Sequence, residues 1–202
     1  MAHLFSHPEL TMIEGLGVAA DGPVKSVLLL CSVSVDQIKA VARDPASATS
    51  NALAELLLTK HFGCTVEMVD SDGADAVVVI GDRALCSDPA PAGDIDLAQA
   101  WKEMTGLPFV FAVWAVRKDF TEREVVTKIA HKAYEAGIES LEKIANRYTD
   151  ELGHSQSFWL DYLGNSIHYE LGDLDLEGLD RFKALLLPGV DDFPFICCQN
   201  LF

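Results

Sequence analysis

The chain has 202 residues, half of them hydrophobic and 23% charged, with 31 acidic side chains against 15 basic ones and a formal net charge of −16. That size and composition fit one globular domain or two small lobes and exclude a disordered chain. The charge argues against a nucleic-acid partner, because phosphate backbones are held by clustered Lys and Arg; an anionic small molecule stays open, since N–H groups and hydroxyls in a cleft act locally against the global field.

The opening "MAHLFSHPELTMIEGLG" has neither a basic leader nor a long apolar core. No later segment reaches the roughly 18 consecutive apolar residues of a membrane helix. The five cysteines, Cys31, Cys64, Cys86, Cys197 and Cys198, show no CxxC spacing, and their odd number suits a reducing compartment. A cytoplasmic protein with no membrane span is therefore expected.

"DGPVKSVLLLCSV" (21–33) reads as a turn and then a buried strand, followed by a short helix at 34–43 and a second helix from about residue 50. "CTVEMV" (64–69) and "ADAVVVIGDRAL" (74–85) read as strands, the latter stopping at a glycine. A Pro- and Gly-rich loop at 86–95 leads into the amphipathic helix "DLAQAWKEMTG", which ends on Gly106. "LPFVFAVWAV" (107–116) is a strand of aromatic and β-branched residues. The stretch 120–149 carries a helical apolar stripe, either as one helix or as two broken at Gly137, and "SQSFWLDYLG" and "LEGLDRFKALLL" add two more helices. The order is that of an α/β protein, with parallel pairing expected from its βα connections.

Ser47, Thr49 and Ser50 in "DPASATSNALAELLLTKHFG" put three hydroxyls at a helix start. A helix N-terminus has unpaired N–H groups and about half a positive charge, so this entry suits a carboxylate or phosphate; N-capping, which needs one hydroxyl, is the competing reading. Gly81 and Asp82 follow a buried strand, where Gly admits a ligand to the backbone and Asp accepts a proton or a hydrogen bond; a turn with an Asp cap is the alternative. No GxGxxG, GxxxxGKS, HExxH or GxSxG pattern occurs, so no nucleotide, metal or serine-nucleophile site is expected. His61 reads as structural at a helix end, and Cys31 and Cys64 as small core residues. The aromatics of "TGLPFVFAVWAV" and Tyr169 are either cleft walls or, respectively, core and surface.

Taken together, "DGPVKSVLLLCS", "SATSNALAELLL", "ADAVVVIGDRAL", "DLAQAWKEMTGLPFVFAVWAVRKD" and "GLDRFKALL" resemble the chorismate dehydratases of the futalosine route to menaquinone, from about Gly22 to about Leu186. The resemblance implies a type II periplasmic-binding-protein-like fold with two lobes and a cleft. It also implies a cytoplasmic lyase that converts chorismate to 3-[(1-carboxyvinyl)oxy]benzoate without a cofactor. The resemblance strengthens the anion-site reading, so Ser47, Thr49, Ser50 and Gly81 are the expected substrate-binding residues, and Asp82 is the catalytic candidate, meeting the ring hydroxyl. A non-catalytic module binding aromatic carboxylates and an enzyme like the dihydroxynaphthoate synthase of the same pathway are the alternatives.

Members of that family ordinarily begin with a further segment that includes a "YLN"-like strand, which finds no match here. One lobe is therefore expected to be incomplete: 1–32 as its remnant, 33–112 as a central α/β lobe with the anion site, and 113–202 as a crossover and helical part returning to the first lobe. A homodimer could rebuild the cleft. The closing "PGVDDFPFICCQNLF" matches nothing in the family, and its apolar residues suit covering an edge.

Overall fold

The computed structural model describes residues 2–5, 7–70 and 73–187. The tail at 188–202, with its expected edge-covering role and the thiols Cys197 and Cys198, lies outside the described residues.

In chain order the elements are α1 (Ala2–Phe5), β1 (Leu10–Ala20), β2 (Val27–Cys31), β3 (Ala40–Ala42), α2 (Ala48–Lys60), β4 (Glu67–Val69), β5 (Ala76–Ile80) and α3 (Asp82–Leu85). They continue with β6 (Asp94–Asp96), α4 (Leu97–Thr105), β7 (Phe109–Arg117), α5 (Arg123–Glu139), α6 (Leu141–Leu152), α7 (Gln156–Asp161), β8 (His168–Glu170) and α8 (Asp173–Leu186). The strands form two sheets, ordered β7-β1-β8 and β4-β3-β5-β2-β6. The α/β class is as expected. No helix among the described residues is long and apolar enough to cross a membrane.

The larger sheet is mixed and not parallel throughout. β3 runs parallel to β4 and β5, because β3-α2-β4 is a βαβ unit whose helix returns the chain in the same direction. β2 pairs antiparallel with both β5 and β6, since no helical crossover joins it to either partner directly. β2 lies inside the range 1–32 but belongs to the larger sheet, so the sheets divide the chain ahead of residue 27.

Residues 34–43, expected as a helix, hold one 3₁₀ turn at Val35–Gln37 and then β3. Tertiary pairing overrides local propensity there: Asp75 accepts hydrogen bonds from the N–H groups of Lys39 and Ala40 at 2.9 and 3.0 Å, aligning Val41 between Met68 and Ala76. The helical stretch after residue 120 is two helices. They part at Ser140 and not at Gly137, with the Ser140 N–H shared between the carbonyls of Ala136 and Gly137.

An aromatic triad fastens the two sheets together. Trp101 of α4, Phe109 of β7 and Phe182 of α8 meet edge to face, with ring centroids 4.9 to 5.8 Å apart, and all three are fully buried. The Trp101 indole N–H donates to the Pro108 carbonyl at 3.0 Å, so the ring is satisfied as well as packed. Gly106 ends α4 in the left-handed conformation, as the sequence predicts, and turns the chain into β7.

α8 crosses this junction at Gly178, where an added Cβ would stand 2.2 Å from the Pro108 carbonyl oxygen. Ala is favoured over Gly inside a helix by about 1 kcal/mol, but overpacking against a fixed backbone costs about 1–3 kcal/mol or more. The clash wins: Gly178→Ala should lower the melting temperature by roughly 5 °C, read by differential scanning calorimetry, whereas a gain in Tm would refute the close crossing.

Candidate functional site

α2 begins at Ser47, an extended N-cap residue whose hydroxyl oxygen accepts the Ser50 N–H at 3.1 Å and whose own proton goes to the Ser50 Oγ at 2.9 Å. Thr49 and Ser50 are buried in the first turn of the helix, and Ser47 is half-buried. Capping therefore accounts for the Ser47–Ser50 pair, at about 1 kcal/mol for such a cap. The helix behind it is held by Leu53, Leu56, Leu57 and Leu58 in the core, which fixes the direction of its positive end.

Gly81 follows β5 with φ 63° and ψ −141°, a combination almost confined to glycine. Open space surrounds the position of its missing Cβ, so the backbone angle and not crowding demands glycine here. The Gly81 N–H donates to the Ser26 carbonyl at 2.8 Å, tying the end of β5 to the turn before β2. Asp82, the next residue, is exposed.

The two groups of candidate residues are linked by Asp44, which the sequence reading did not single out. Its carboxylate has no exposed surface. One oxygen accepts the Ala46 N–H at 2.9 Å; the other accepts the Ile80 N–H at 3.2 Å and an Nη2–H of Arg83. The Asp44 backbone exchanges two further bonds with the Asn51 side chain, at 2.9 and 2.8 Å. The loop entering α2 and the corner leaving β5 are thereby one hydrogen-bonded unit.

Tyr162, also missed, stands at the same edge. Burial raises its phenol above the ordinary value; the Ser26 side chain lowers it in part, and the charge of Asp82 raises it further. Tyr169 is half-buried and packs against the main core, with burial pushing its phenol up to about 12. Of the expected aromatic walls, Phe109 is core and Trp114 is exposed. His61 is the exposed C-cap of α2, Cys31 is buried, and the half-buried Cys64 donates its thiol proton to the Val35 carbonyl.

Two grooves flank this region. One of about 230 Å³ is lined by Asp21, Gly22, Pro23, Lys25, Asn165, Ser166 and His168. The other, about 480 Å³, includes Arg43, Asp44, Ala48 and Asn51. Neither is lined by Ser47, Gly81 or Asp82.

Residues 1–186 match the family model described as menaquinone biosynthesis. The chain belongs to that family. The match begins ahead of the Gly22 at which the sequence resemblance starts. Among family relatives, the chorismate dehydratase of Thermus thermophilus is 31% identical, the alignment covering 92% of this chain and 77% of the relative. That of Campylobacter jejuni is 33% identical, covering 85% of this chain and 69% of the relative. The crystal structure of protein AF1704 from Archaeoglobus fulgidus superimposes with a TM-score of 0.68 over 91% of this chain and 74% of that one, at 18% identity, and shares the fold of this family member.

The raised phenol gives a pH signature. An unfolded tyrosine loses its proton near pH 10, whereas folded Tyr169 keeps it to about 12. The stability tied to that proton is complete below pH 10 and falls as pH rises toward 12. Urea denaturation at stepped alkaline pH should show this decline in the wild type and a shallower one in Tyr169→Phe; equal slopes would contradict the burial.

Proposed function

We propose that the chain dehydrates chorismate to 3-[(1-carboxyvinyl)oxy]benzoate in menaquinone biosynthesis. The family match and the two relatives named chorismate dehydratase support the reaction. The observation that carries the site is the shared carboxylate of Asp44, which holds the mouth of α2 and the Gly81–Asp82 corner together.

The reaction removes a ring proton and a ring hydroxyl as water and leaves a benzene ring. Aromatisation supplies the driving force, so the protein is asked chiefly for positioning and for proton handling at the leaving group. In this reading the first turn of α2, with Ser47, Thr49 and Ser50, receives a substrate carboxylate. Gly81 lets the ring approach the backbone, and Asp82 meets the ring hydroxyl. Tyr162, whose phenol burial and the charge of Asp82 hold protonated, is a phenolic donor for that corner. No cofactor takes part.

The two sheets are read as the two lobes of a type II periplasmic-binding-protein-like fold, the anion-binding lobe taking in β2 as well as the elements within 33–112. The remaining described parts, up to residue 26 and from β7 at Phe109 to residue 187, belong to the other lobe and its crossover, and a second copy in a homodimer would help enclose the cleft. A cytoplasmic setting is part of the same reading, supported by the free thiols of Cys31, Cys64 and Cys86. The rival reading is a module that binds aromatic carboxylates without turnover.

Purified protein incubated with chorismate should yield a product 18 mass units lighter, the mass of the water lost, followed by liquid chromatography and mass spectrometry. Asp82→Asn should lower kcat by roughly 10²-fold, and Ser50→Ala should also lower turnover. Thermal stabilisation by chorismate with no product, even at high enzyme concentration, would select the binding module instead.

A further inference from the structure

We infer that Asp44 and Arg83 form a positioning clasp that sets the distance between the carboxylate-binding mouth of α2 and the Asp82 corner. This inference rests on the dehydratase reading for its catalytic consequence. The Asp44 side chain is fully buried, whereas that of Arg83 is 62% exposed. The clasp is thus a buried acceptor whose single compensating charge reaches in from the surface.

The bonds have a direction of influence. Asp44 Oδ1 holds Ala46, one residue ahead of the N-cap Ser47; Asp44 Oδ2 holds Ile80, one residue ahead of Gly81. Arg83, one residue beyond Asp82, closes the loop by donating to the same Oδ2. Each substrate-facing segment is therefore gripped next to its working residue, and neither grip uses Ser47, Ser50 or Asp82 themselves. A bound substrate spans both segments, so an error of about 1 Å in their separation costs on the order of 10² in rate without removing any group that touches it.

The guanidinium has a second effect. A lone carboxylate at the entry to α2 would oppose an incoming anion and offset the positive end of the helix. Paired with Arg83, Asp44 leaves that end available. Removing Arg83 strands a buried carboxylate with two backbone donors and no counter-charge, the arrangement that most favours the two segments moving apart.

The test compares Arg83→Gln and Arg83→Lys with the wild type; the Arg83 side chain is 62% exposed, and circular dichroism first establishes that each variant is folded at the assay temperature. Arg83→Gln should lower kcat for chorismate by about 10²-fold per ligand-binding site, counted by active-site titration, and Arg83→Lys, which keeps the charge, should recover most of it. A residue that merely stabilises the fold would change the melting temperature and leave kcat per site unaltered. Hydrogen exchange read by mass spectrometry is the second readout: in Arg83→Gln, the segments 44–51 and 78–83 should exchange faster together, with α4 and β7 unchanged. Unaltered exchange in 44–51, or unaltered kcat per site, overturns the clasp. A wild type that turns over no chorismate overturns the dehydratase reading and the catalytic role with it, while the exchange measurement still decides whether Arg83 couples the two segments.

Discussion

A carboxylate with no exposed surface survives in a folded protein only when its lone pairs are filled and its charge is met. Asp44 meets that demand with two backbone N–H groups from different parts of the chain and one guanidinium. The cost of burying it is offset only when the α2 entry loop and the β5 exit are both in place, so the arrangement is cooperative by construction. The Asn51 side chain repeats the logic one turn into α2, clamping the Asp44 N–H and carbonyl together. The geometry of the candidate site follows from these bonds more than from the residues that would touch a ligand.

The frame behind the clasp is apolar. Trp101, Phe109 and Phe182 lock α4, β7 and α8 where the two sheets meet, and Gly178 permits α8 to press on Pro108. The turn that leads from β1 into β2 runs across the same boundary. There Lys25 adopts a left-handed φ of 65°, held by its N–H to Asp96 at 2.7 Å and by its ammonium to Asp161 at 2.7 Å. Ser26, the next residue, receives the Gly81 N–H on its carbonyl, and its side chain acts on the phenol of Tyr162. One short turn therefore carries the register of the site from the β5 corner to the chain that follows α7.

Local patterns in the sequence were readable where one segment determines its own conformation. α2, α4 with its Gly106 stop and β7 all appear close to their expected bounds, because hydrophobic period and capping residues are local signals; of the stretch 74–85, expected as a strand stopping at a glycine, only Ala76–Ile80 is strand, and Asp82–Leu85 turns into α3 after Gly81. β1 was missed: Glu14, Gly15 and Gly17 interrupt its alternation, and it is bulged against β7. β3 and the antiparallel setting of β2 depend on partners far along the chain, which no window of residues reveals. The same division holds at the site. The hydroxyl-rich start of α2 and the Gly81–Asp82 corner were visible, whereas Asp44, a single acid ahead of a proline, carries no motif that marks it. Ser26 and Tyr162 are separated by more than a hundred residues, so their pairing had no sequence signal.

A chain with a net charge of −16 can hold an organic acid only through local donors, since exposed charges beyond about 8 Å are screened at physiological salt. Around the candidate site the nearby cations are already paired, Arg83 with Asp44, Arg43 with Asp70 and Lys25 with Asp161. In the proposed reading the carboxylate is attracted by the oriented N-terminus of α2 and its hydroxyls, whose reach is short and whose strength depends on alignment. Such a site selects by the spacing of donors and not by charge. An acidic surface then costs it little, because distant repulsion is screened while hydrogen bonds at contact are not, and the burden of recognition falls on whatever keeps the donors in register.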